Sequence, residues 1–148
     1  MKVFLDTNVI LEFFLRRENG DVAGWAFTKI KEQKHIPFMS VGSFYTILYL
    51  VDKFLRKERG LQGEQRLKVL RLLMSNILSC INIAGHDNAS LLKGISDKHY
   101  KDIEDSCQFY AAQKAGCEIL LSFNDADYPV SDDIIPRVMT PLAFVAEK

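Results

Sequence analysis

Cysteine is scarce in this chain, and several marks of specialised proteins are missing. The three cysteines, Cys80, Cys107 and Cys117, are an odd number without C-x-x-C spacing, which argues against a disulfide framework or a cysteine-bound structural metal. We expect them to be buried thiols in a reducing cytosol. The sequence also contains no internal repeat and no low-complexity tract, which excludes a repeat architecture.

Long apolar runs are missing as well. No apolar segment reaches the length of a membrane-spanning helix. An acid at position 6, Asp6, interrupts the uncharged stretch that a secretory leader needs. We therefore predict a cytoplasmic protein without a membrane span. Its 148 residues, 48% of them hydrophobic, predict one domain over residues 1–148 with a core that needs no disulfide.

Neither sign of charge is in excess, since 19 basic residues balance 19 acidic ones. Their distribution is uneven, because residues 53–71 contain seven bases and two acids, whereas residues 102–148 contain nine acids and three bases. A basic flank beside an acidic site suits a phosphate-bearing polymer near bound cations. On charge alone, the simpler interpretation is that the basic segment is the solvated face of two helices.

Short apolar segments alternate with longer amphipathic ones. Apolar runs predict strands at residues 3–5, 36–39, 80–84, 118–122 and 138–139. Apolar residues at three- and four-residue spacing predict helices at residues 7–15, 22–34, 40–55, 67–78, 88–92, 102–115 and from 141 onward. Strands that alternate with helices predict an α/β fold, a three-layer sandwich with a mainly parallel central sheet.

Acidic residues follow the predicted strands or open a predicted helix. Asp6 follows the first strand, residues 122–127 follow a later one, and Asp102 and Asp105 begin a helix. In sheets of this kind the ligand crevice lies outside the carboxyl ends of the strands. Carboxylates brought together from distant segments repel one another unless a cation or a proton lies among them. The sequence therefore raises the question of a metal site.

Each acid also has a simpler structural interpretation. Asp102 and Asp105 are three residues apart, and as a helix cap plus a first-turn acid they would contribute about 1 kcal/mol. Asp6 could cap the helix that follows it. Thr7 or Asn8 could do so equally well, which would leave Asp6 available for chemistry. The later acidic run could be an ordinary polar loop.

Three segments carry a family resemblance. They are V-F-L-D-T-N-V-I-L at residues 3–11, the stretch from D-I-E-D to D-A-D-Y at residues 102–128, and V-M-T-P-L-A-F at residues 138–144. Together they resemble the PIN-domain family of metal-dependent ribonucleases, the fold of VapC-type toxins. The resemblance covers essentially the whole chain. It implies an endoribonuclease that needs Mg²⁺ or Mn²⁺ and acts as the toxin of a toxin-antitoxin pair.

The resemblance also implies roles for individual residues. Asp6 matches the first metal-binding acid, and Asp102 with Asp105 matches the acidic pair that opens a helix. Asn124 stands where many relatives have an acid, and Asp127 follows shortly after it. The resemblance therefore implies that four acids bind the metal ion and are catalytic, namely Asp6, Asp102, Asp105 and Asp127.

Other polar residues are predicted to support these acids. Four are expected to hydrogen-bond the carboxylates or their waters: Thr7, Asn8, Ser122 and Asn124. Four bases are expected to contact RNA phosphates, provided that their helix lies beside the crevice: Lys53, Arg56, Lys57 and Arg59. The family resemblance further implies a homodimer through the apolar helices of residues 40–79, a region that an antitoxin would also cover.

Histidines and aromatic residues are assigned to ordinary roles. His35, His86 and His99 share no ligand spacing, so we expect them on the surface or in loops. Most aromatic residues stand at helical spacing and are expected in the core, with Trp25 facing inward. Tyr45 is the exception, because it lies in a segment where the family leads us to expect an acid.

That segment is the main departure from the family pattern. Relatives usually have an acid on the helix after the second strand, but residues 40–47 contain no carboxylate. The departure favours a second hypothesis, a PIN-fold module that binds RNA or a protein partner with little or no catalysis. A third hypothesis is a metal-dependent phosphatase of the HAD type. Such enzymes need a second aspartate at the position of Asn8, which places this hypothesis well below the others.

Overall fold

The computed structural model describes residues 1–129 and 133–148. Helices and strands alternate through most of the chain, as predicted. The strands are β1 (Lys2–Leu5), β2 (Ile36–Ser40), β3 (Asn82–Ala84), β4 (Ile119–Leu121) and β5 (Arg137–Met139). The helices are α1 (Thr7–Phe14), α2 (Gly20–Glu32), α3 (Val41–Lys57), α4 (Gly63–Cys80), α5 (Asn88–Ser96), α6 (Ile103–Lys114) and α7 (Pro141–Ala146), and a 3-10 turn covers Asp125–Asp127.

The five strands form one sheet in the order β3-β2-β1-β4-β5, and every pair of neighbours is parallel. The first strand is therefore central, with β2 on one side and β4 on the other. Leu5 at the end of β1 pairs in register with Leu121 at the end of β4. The chain segments that follow these two strands consequently leave the sheet side by side at its carboxyl edge.

Both faces of the sheet are covered. Val3 and Leu5 pack into a core that α1, α2, α3, α4 and α7 complete, whereas Phe4 and Leu120 face a second core built largely from α6. Side chains alternate between the two faces of a strand, and strands buried on both faces read as continuous apolar runs. The predicted three-layer α/β sandwich with a parallel sheet is confirmed.

Two predictions about individual residues are wrong. Trp25 does not face inward, because α2 packs through Ala23, Ala26 and Ile30 and leaves the indole 55% exposed. There Trp25 lines an open apolar cavity of about 770 Å³ beside α1. Cys80 is exposed because it ends α4, so the strand predicted from residue 80 begins only at Asn82.

Helix α6 carries the late acidic pair, and its position depends on α5. Gly94 of α5 lies so close to α6 that a Cβ atom there would stand 2.7 Å from Cys107 Sγ. The Ser106 hydroxyl donates to the Gly94 carbonyl at 2.8 Å. The start of α6 is thereby held against the carboxyl edge of the sheet. Within the described residues, none of the helices is long and apolar enough to cross a membrane.

Candidate active site

Asp6 lies where β1 ends and α1 begins. Its backbone N–H donates to the Leu121 carbonyl at 2.9 Å, which ties the residue to the neighbouring strand. Asp6 is itself the N-cap of α1, since its Oδ1 accepts from the Thr7 backbone N–H at 2.7 Å. The expectation that Thr7 or Asn8 could equally well supply this cap is therefore wrong, because the extended backbone needed for capping occurs at Asp6.

The second carboxylate oxygen of Asp6 is held by side chains from another segment. Oδ2 accepts from the Ser122 hydroxyl at 2.8 Å and from the Tyr128 hydroxyl at 3.3 Å, with the Asn8 amide at 3.5 Å. Only 6% of Asp6 is exposed. Burial raises the pKa of this carboxyl, the hydrogen bonds oppose that rise, and the negative charge of Asp102 adds to it.

The late acidic pair opens α6. Asp102 is the N-cap, and its Oδ1 accepts from the backbone N–H groups of Glu104 at 2.7 Å and Asp105 at 3.4 Å. Both bonds use Oδ1, so Oδ2 is available to another partner. The capping interpretation describes the geometry of Asp102 correctly, and Asp105 occupies the third helical position.

The charges of the other acids have a marked effect on the pKa of Asp105. Burial raises its pKa to about 7, and the charges of Asp6, Asp102 and Asp127 add to the rise. Burial alone raises the pKa of a carboxyl, and like charges raise it further only when they lie near it. The other three predicted acids are therefore near enough for their charges to act on Asp105, although the four acids come from three separate segments.

The loop after β4 supplies both acids and donors. Ser122 is fully buried, and its hydroxyl accepts from the Asn124 backbone N–H at 3.0 Å while donating to Asp6. Asn8 fixes the same loop, since its Oδ1 accepts from the Phe123 N–H at 3.2 Å. The Asn124 side chain is exposed, so this residue contributes through its backbone.

A cluster of neutral polar groups lies where the family pattern leads us to expect an acid. Ser40 caps α3, and Ser43 is buried at the third helical position. The Ser43 hydroxyl is 2.9 Å from the Thr7 hydroxyl and 2.7 Å from Gln108 Nε2. The side chain of Thr7 therefore contacts Ser43, and only its backbone N–H contacts a carboxylate.

Sequence reasoning missed three residues of this site: Ser43, Gln108 and Tyr128. One signal was available in the sequence. Gln108 is three residues after Asp105 and so shares its face of α6, where a polar residue among apolar ones needs a partner. Tyr128 directly follows Asp127 but reaches Asp6 from the far side of the loop, which no local pattern indicates.

The predicted phosphate contacts lie apart from the acids. Lys53, Arg56 and Lys57 occupy the last turns of α3, and Lys53 is roughly 15 Å along the helix from Ser43 at 1.5 Å per residue. Arg56 is 3.6 Å from the Asp52 carboxylate, and Arg59 lies over the Phe54 ring. These bases therefore do not line the acidic site itself.

The donor set suits a hard divalent cation. In residues 1–129 and 133–148, no three His, Cys, Asp or Glu side chains are arranged closely enough to hold an ion by themselves. Mg²⁺ keeps several waters and needs only one or two carboxylates together with substrate phosphate. Carboxylates whose charges act on Asp105 without enclosing an ion fit a cation that is held partly through water.

Comparison with known families agrees with this arrangement. The PIN domain family model matches residues 2–126. The chain belongs to the PIN domain family. The match includes Asp6, Asp102 and Asp105 and ends just before Asp127.

Two individual proteins extend the comparison. This PIN domain is 27% identical over 139 residues to "Ribonuclease VapC1" of Aquifex aeolicus (strain VF5), covering 90% of this chain and 89% of that protein. The structure of VapBC-1 from nontypeable Haemophilus influenzae aligns with a TM-score of 0.56, covering 86% of this chain and 90% of that one. At 16% identity, that alignment is evidence for the fold alone. The VapC-type resemblance seen in the sequence is confirmed.

Proposed function

We propose that this PIN domain is a divalent-metal-dependent endoribonuclease and acts in the cytoplasm as the toxin of a toxin-antitoxin pair. The observation that supports it best is that the charges of Asp6, Asp102 and Asp127 act on Asp105, whose pKa is raised to about 7 by burial first and by these charges in addition. The similarity to a VapC ribonuclease supports the same reaction class. A cation between the carboxylates would relieve the repulsion that the fold otherwise maintains.

The residues of the chain would prepare the site in distinct ways. Ser122 and Tyr128 hold Asp6 Oδ2, and Thr7 holds Oδ1, so the first acid keeps one orientation. Asp105 exchanges a proton near neutral pH, because its pKa is about 7. Bound Mg²⁺ or Mn²⁺ would activate a water for attack on phosphorus and offset the negative charge that develops there.

A second candidate function is a PIN-fold module that binds RNA or a protein partner with little or no catalysis. The cluster of Ser43, Thr7 and Gln108 favours it, because neutral groups occupy the place of an expected acid. Losing one carboxylate lowers the affinity for a second cation.

We also propose partners and an assembly. RNA is the substrate, an antitoxin is the protein partner, and the chain forms a homodimer as a single domain over residues 1–148. Tyr45 and Tyr49 on α3 are 65% and 60% exposed, and Leu72 on α4 is 61% exposed, which supports a protein contact on these helices. The VapBC-1 fold neighbour supports the antitoxin.

The decisive experiment compares the wild type with Asp6→Asn. We expect Mn²⁺-dependent cleavage of labelled single-stranded RNA by the wild type. The variant should lose more than the roughly 10- to 100-fold that changes in outer-shell residues typically cause. Asp21→Asn is a matched control, because Asp21 is an exposed acid in the first turn of α2.

A second readout does not depend on cleavage. Mn²⁺ should raise the melting temperature of the wild type and of Asp21→Asn, but raise that of Asp6→Asn much less, because a ligand stabilises the state that binds it. Equal cleavage by both aspartate variants would reject the catalytic assignment. RNA binding without cleavage, together with no Mn²⁺ stabilisation, would favour the second candidate function.

A further inference from the structure

A short loop joins α5 to α6 and ends at the late acids. This segment, the basic loop, is residues 97–101 and has the sequence Asp-Lys-His-Tyr-Lys. Lys101 directly precedes Asp102, the N-cap of α6, and Lys98 lies four residues before that aspartate. These two are therefore the lysines nearest along the chain to the late acidic pair.

The lysines of the basic loop face solvent, whereas its acid is turned inward. Lys98 and Lys101 are exposed, and in the part of the chain that the structure describes neither forms an ion pair. The side chain of Asp97 is only 15% exposed. Its carboxylate accepts from the Tyr110 hydroxyl at 2.8 Å and lies 2.8 Å from His99 Nδ1. The charge that the loop presents to solvent is therefore positive.

Two contacts hold the basic loop beside the acidic site. The Tyr100 ring packs edge-on against the Tyr128 ring, with 5.8 Å between the centroids. Tyr128 in turn donates its hydroxyl to Asp6 Oδ2. The bond from Tyr110 to Asp97 ties the start of the loop to α6. A loop that is already held in place loses less conformational entropy when it binds a partner.

The basic loop and the bases of α3 lie on opposite faces of the sheet. Helix α3 packs into the core that contains Val3 and Leu5, whereas Tyr100 packs with α6 against the core that contains Phe4 and Leu120. The acids follow β1 and β4 or begin α6, at the edge where these two faces meet. A strand that lies over the acids can therefore meet α3 on one face and the basic loop on the other.

The acids themselves repel a polyanion. An RNA phosphate that approaches four carboxylates is repelled, and a bound cation would offset only part of their charge. Exposed lysines beside the site attract phosphates and position the strand without reading its sequence. The α3 bases begin roughly 15 Å along their helix from Ser43, so they are placed for phosphates farther along the strand.

We propose that Lys98 and Lys101 of the basic loop bind RNA phosphates next to the acidic site. The loop is a substrate-binding surface that complements the α3 bases from the opposite face and contributes affinity rather than sequence preference. As an assignment of RNA contacts, the inference rests on the proposed function. Two lysines would also attract an acidic protein segment, but the contiguity of the loop with the acids favours the polymer that those acids would cleave.

Binding in EDTA tests the basic loop without cleavage. Lys98→Ala combined with Lys101→Ala should weaken the binding of a fluorescein-labelled single-stranded RNA roughly 5- to 30-fold at moderate salt, the loss expected for two exposed ion pairs. The slope of log Kd against log salt should fall by about 1.4, because each phosphate contact with a single strand contributes about 0.7. Fluorescence anisotropy measures both quantities.

Two matched variants separate the loop from a general effect of charge. Lys31→Ala combined with Lys34→Ala removes the same charge near the end of α2, at the edge of the sheet opposite the acids, and should leave RNA binding unchanged. Lys98→Arg combined with Lys101→Arg keeps the charge of the loop and should retain binding. All four lysines are exposed, so the melting temperatures of these variants should match that of the wild type.

A second measurement needs no variant. Addition of an RNA tetranucleotide to the ¹⁵N-labelled wild type in EDTA should shift the backbone ¹⁵N-¹H resonances of Lys98 and Lys101. The resonances of Lys31 and Lys34 should stay in place.

The outcomes separate the basic loop from the nuclease. Unchanged affinity and salt slope in the loop alanine variant, an equal loss in the α2 variant, or no RNA binding by the wild type would overturn the loop as an RNA surface. If cleavage still depends on Asp6 in that case, the proposed function stands alone. A loss confined to the loop alanine variant would support the inference, even if neither the wild type nor Asp6→Asn cleaves RNA.

Discussion

At the scale of single residues, Asp105 links the stability of the protein to its chemistry. Its pKa of about 7 means that the folded protein retains a proton that the unfolded chain, with an ordinary carboxyl pKa of 3.8, has already lost. Between these two values the folded state binds more protons than the unfolded state. Stability therefore falls as pH rises through this range, and the loss is complete above about pH 7.

The variant Asp105→Asn tests this linkage in metal-free buffer. It should be more stable than the wild type by roughly 1–2 kcal/mol at about pH 8, since solvent screens a partly exposed charge, and equally stable at about pH 4. Urea denaturation at both pH values measures the difference. Asp125→Asn, a change at an exposed acid in the 3-10 turn, should have little effect at either pH. A gain in stability that is the same at both pH values would contradict the charge mechanism.

The same scale shows how far a sequence can define a site. Asp6 and Ser122 were predictable because each directly follows a buried strand, and parallel strands end at one edge of a sheet. Tyr128 was not, because its contact with Asp6 depends on the path of the loop between them. Ser43 was not predicted either, because a serine carries no metal-site signal until Thr7 and Gln108 are placed against it.

At the scale of elements, the contact between α5 and α6 positions the late acids. A Cβ atom at Gly94 would lie 2.7 Å from Cys107 Sγ and 2.9 Å from Cys107 Cα, so the two helices would have to separate. Gly94→Ala should gain up to about 1 kcal/mol of helix propensity but lose more from overpacking. We expect a net destabilisation of roughly 1–2 kcal/mol, measured by urea denaturation.

Gly85→Ala is the matched control for that change. Gly85 lies in the loop between β3 and α5, and a Cβ atom there would meet no heavy atom within 4 Å. The free energy of unfolding of Gly85→Ala should stay within a few tenths of a kcal/mol of the wild-type value. If Gly94→Ala is equally neutral, the close approach of α5 to α6 does not limit the position of the acids.

The helices and strands were easier to predict from the sequence than which of their faces are buried. The strands of a parallel sheet are buried on both sides, so their apolar runs stand out from the amphipathic helices between them. Trp25 shows the limit of this approach. Periodicity places it near an apolar stripe, but the small residues Ala23 and Ala26 allow α2 to pack closely along a different line. Which stripe is buried depends on the partner surface, and that surface belongs to other parts of the chain.

At the scale of the whole molecule, opposite charges occupy separate places. The acids lie at the carboxyl edge of the sheet, where α3 begins, and the basic residues lie along its last turns. Because the formal charges cancel overall, the separation does not appear in the net charge. An RNA strand that reaches the acids would gain phosphate contacts with these bases by following α3.

Charge reversal tests that path. Lys53→Glu combined with Lys57→Glu should weaken binding of a single-stranded RNA and reduce the slope of log Kd against log salt by roughly 1–2, because two phosphate contacts are lost. These lysines are preferred because Arg56 is paired with Asp52 and Arg59 packs on Phe54. Fluorescence anisotropy over a range of salt concentrations measures both quantities.

The control must change the net charge equally at another place. Lys31→Glu combined with Lys34→Glu does so near the end of α2, which leads into β2 at the edge of the sheet opposite the acids. If both double variants weaken binding alike, the effect comes from net charge and RNA does not follow α3. If only the α3 variant loses affinity and salt dependence, the strand runs along α3, and the chain joins a separate phosphate-binding surface to its acidic site.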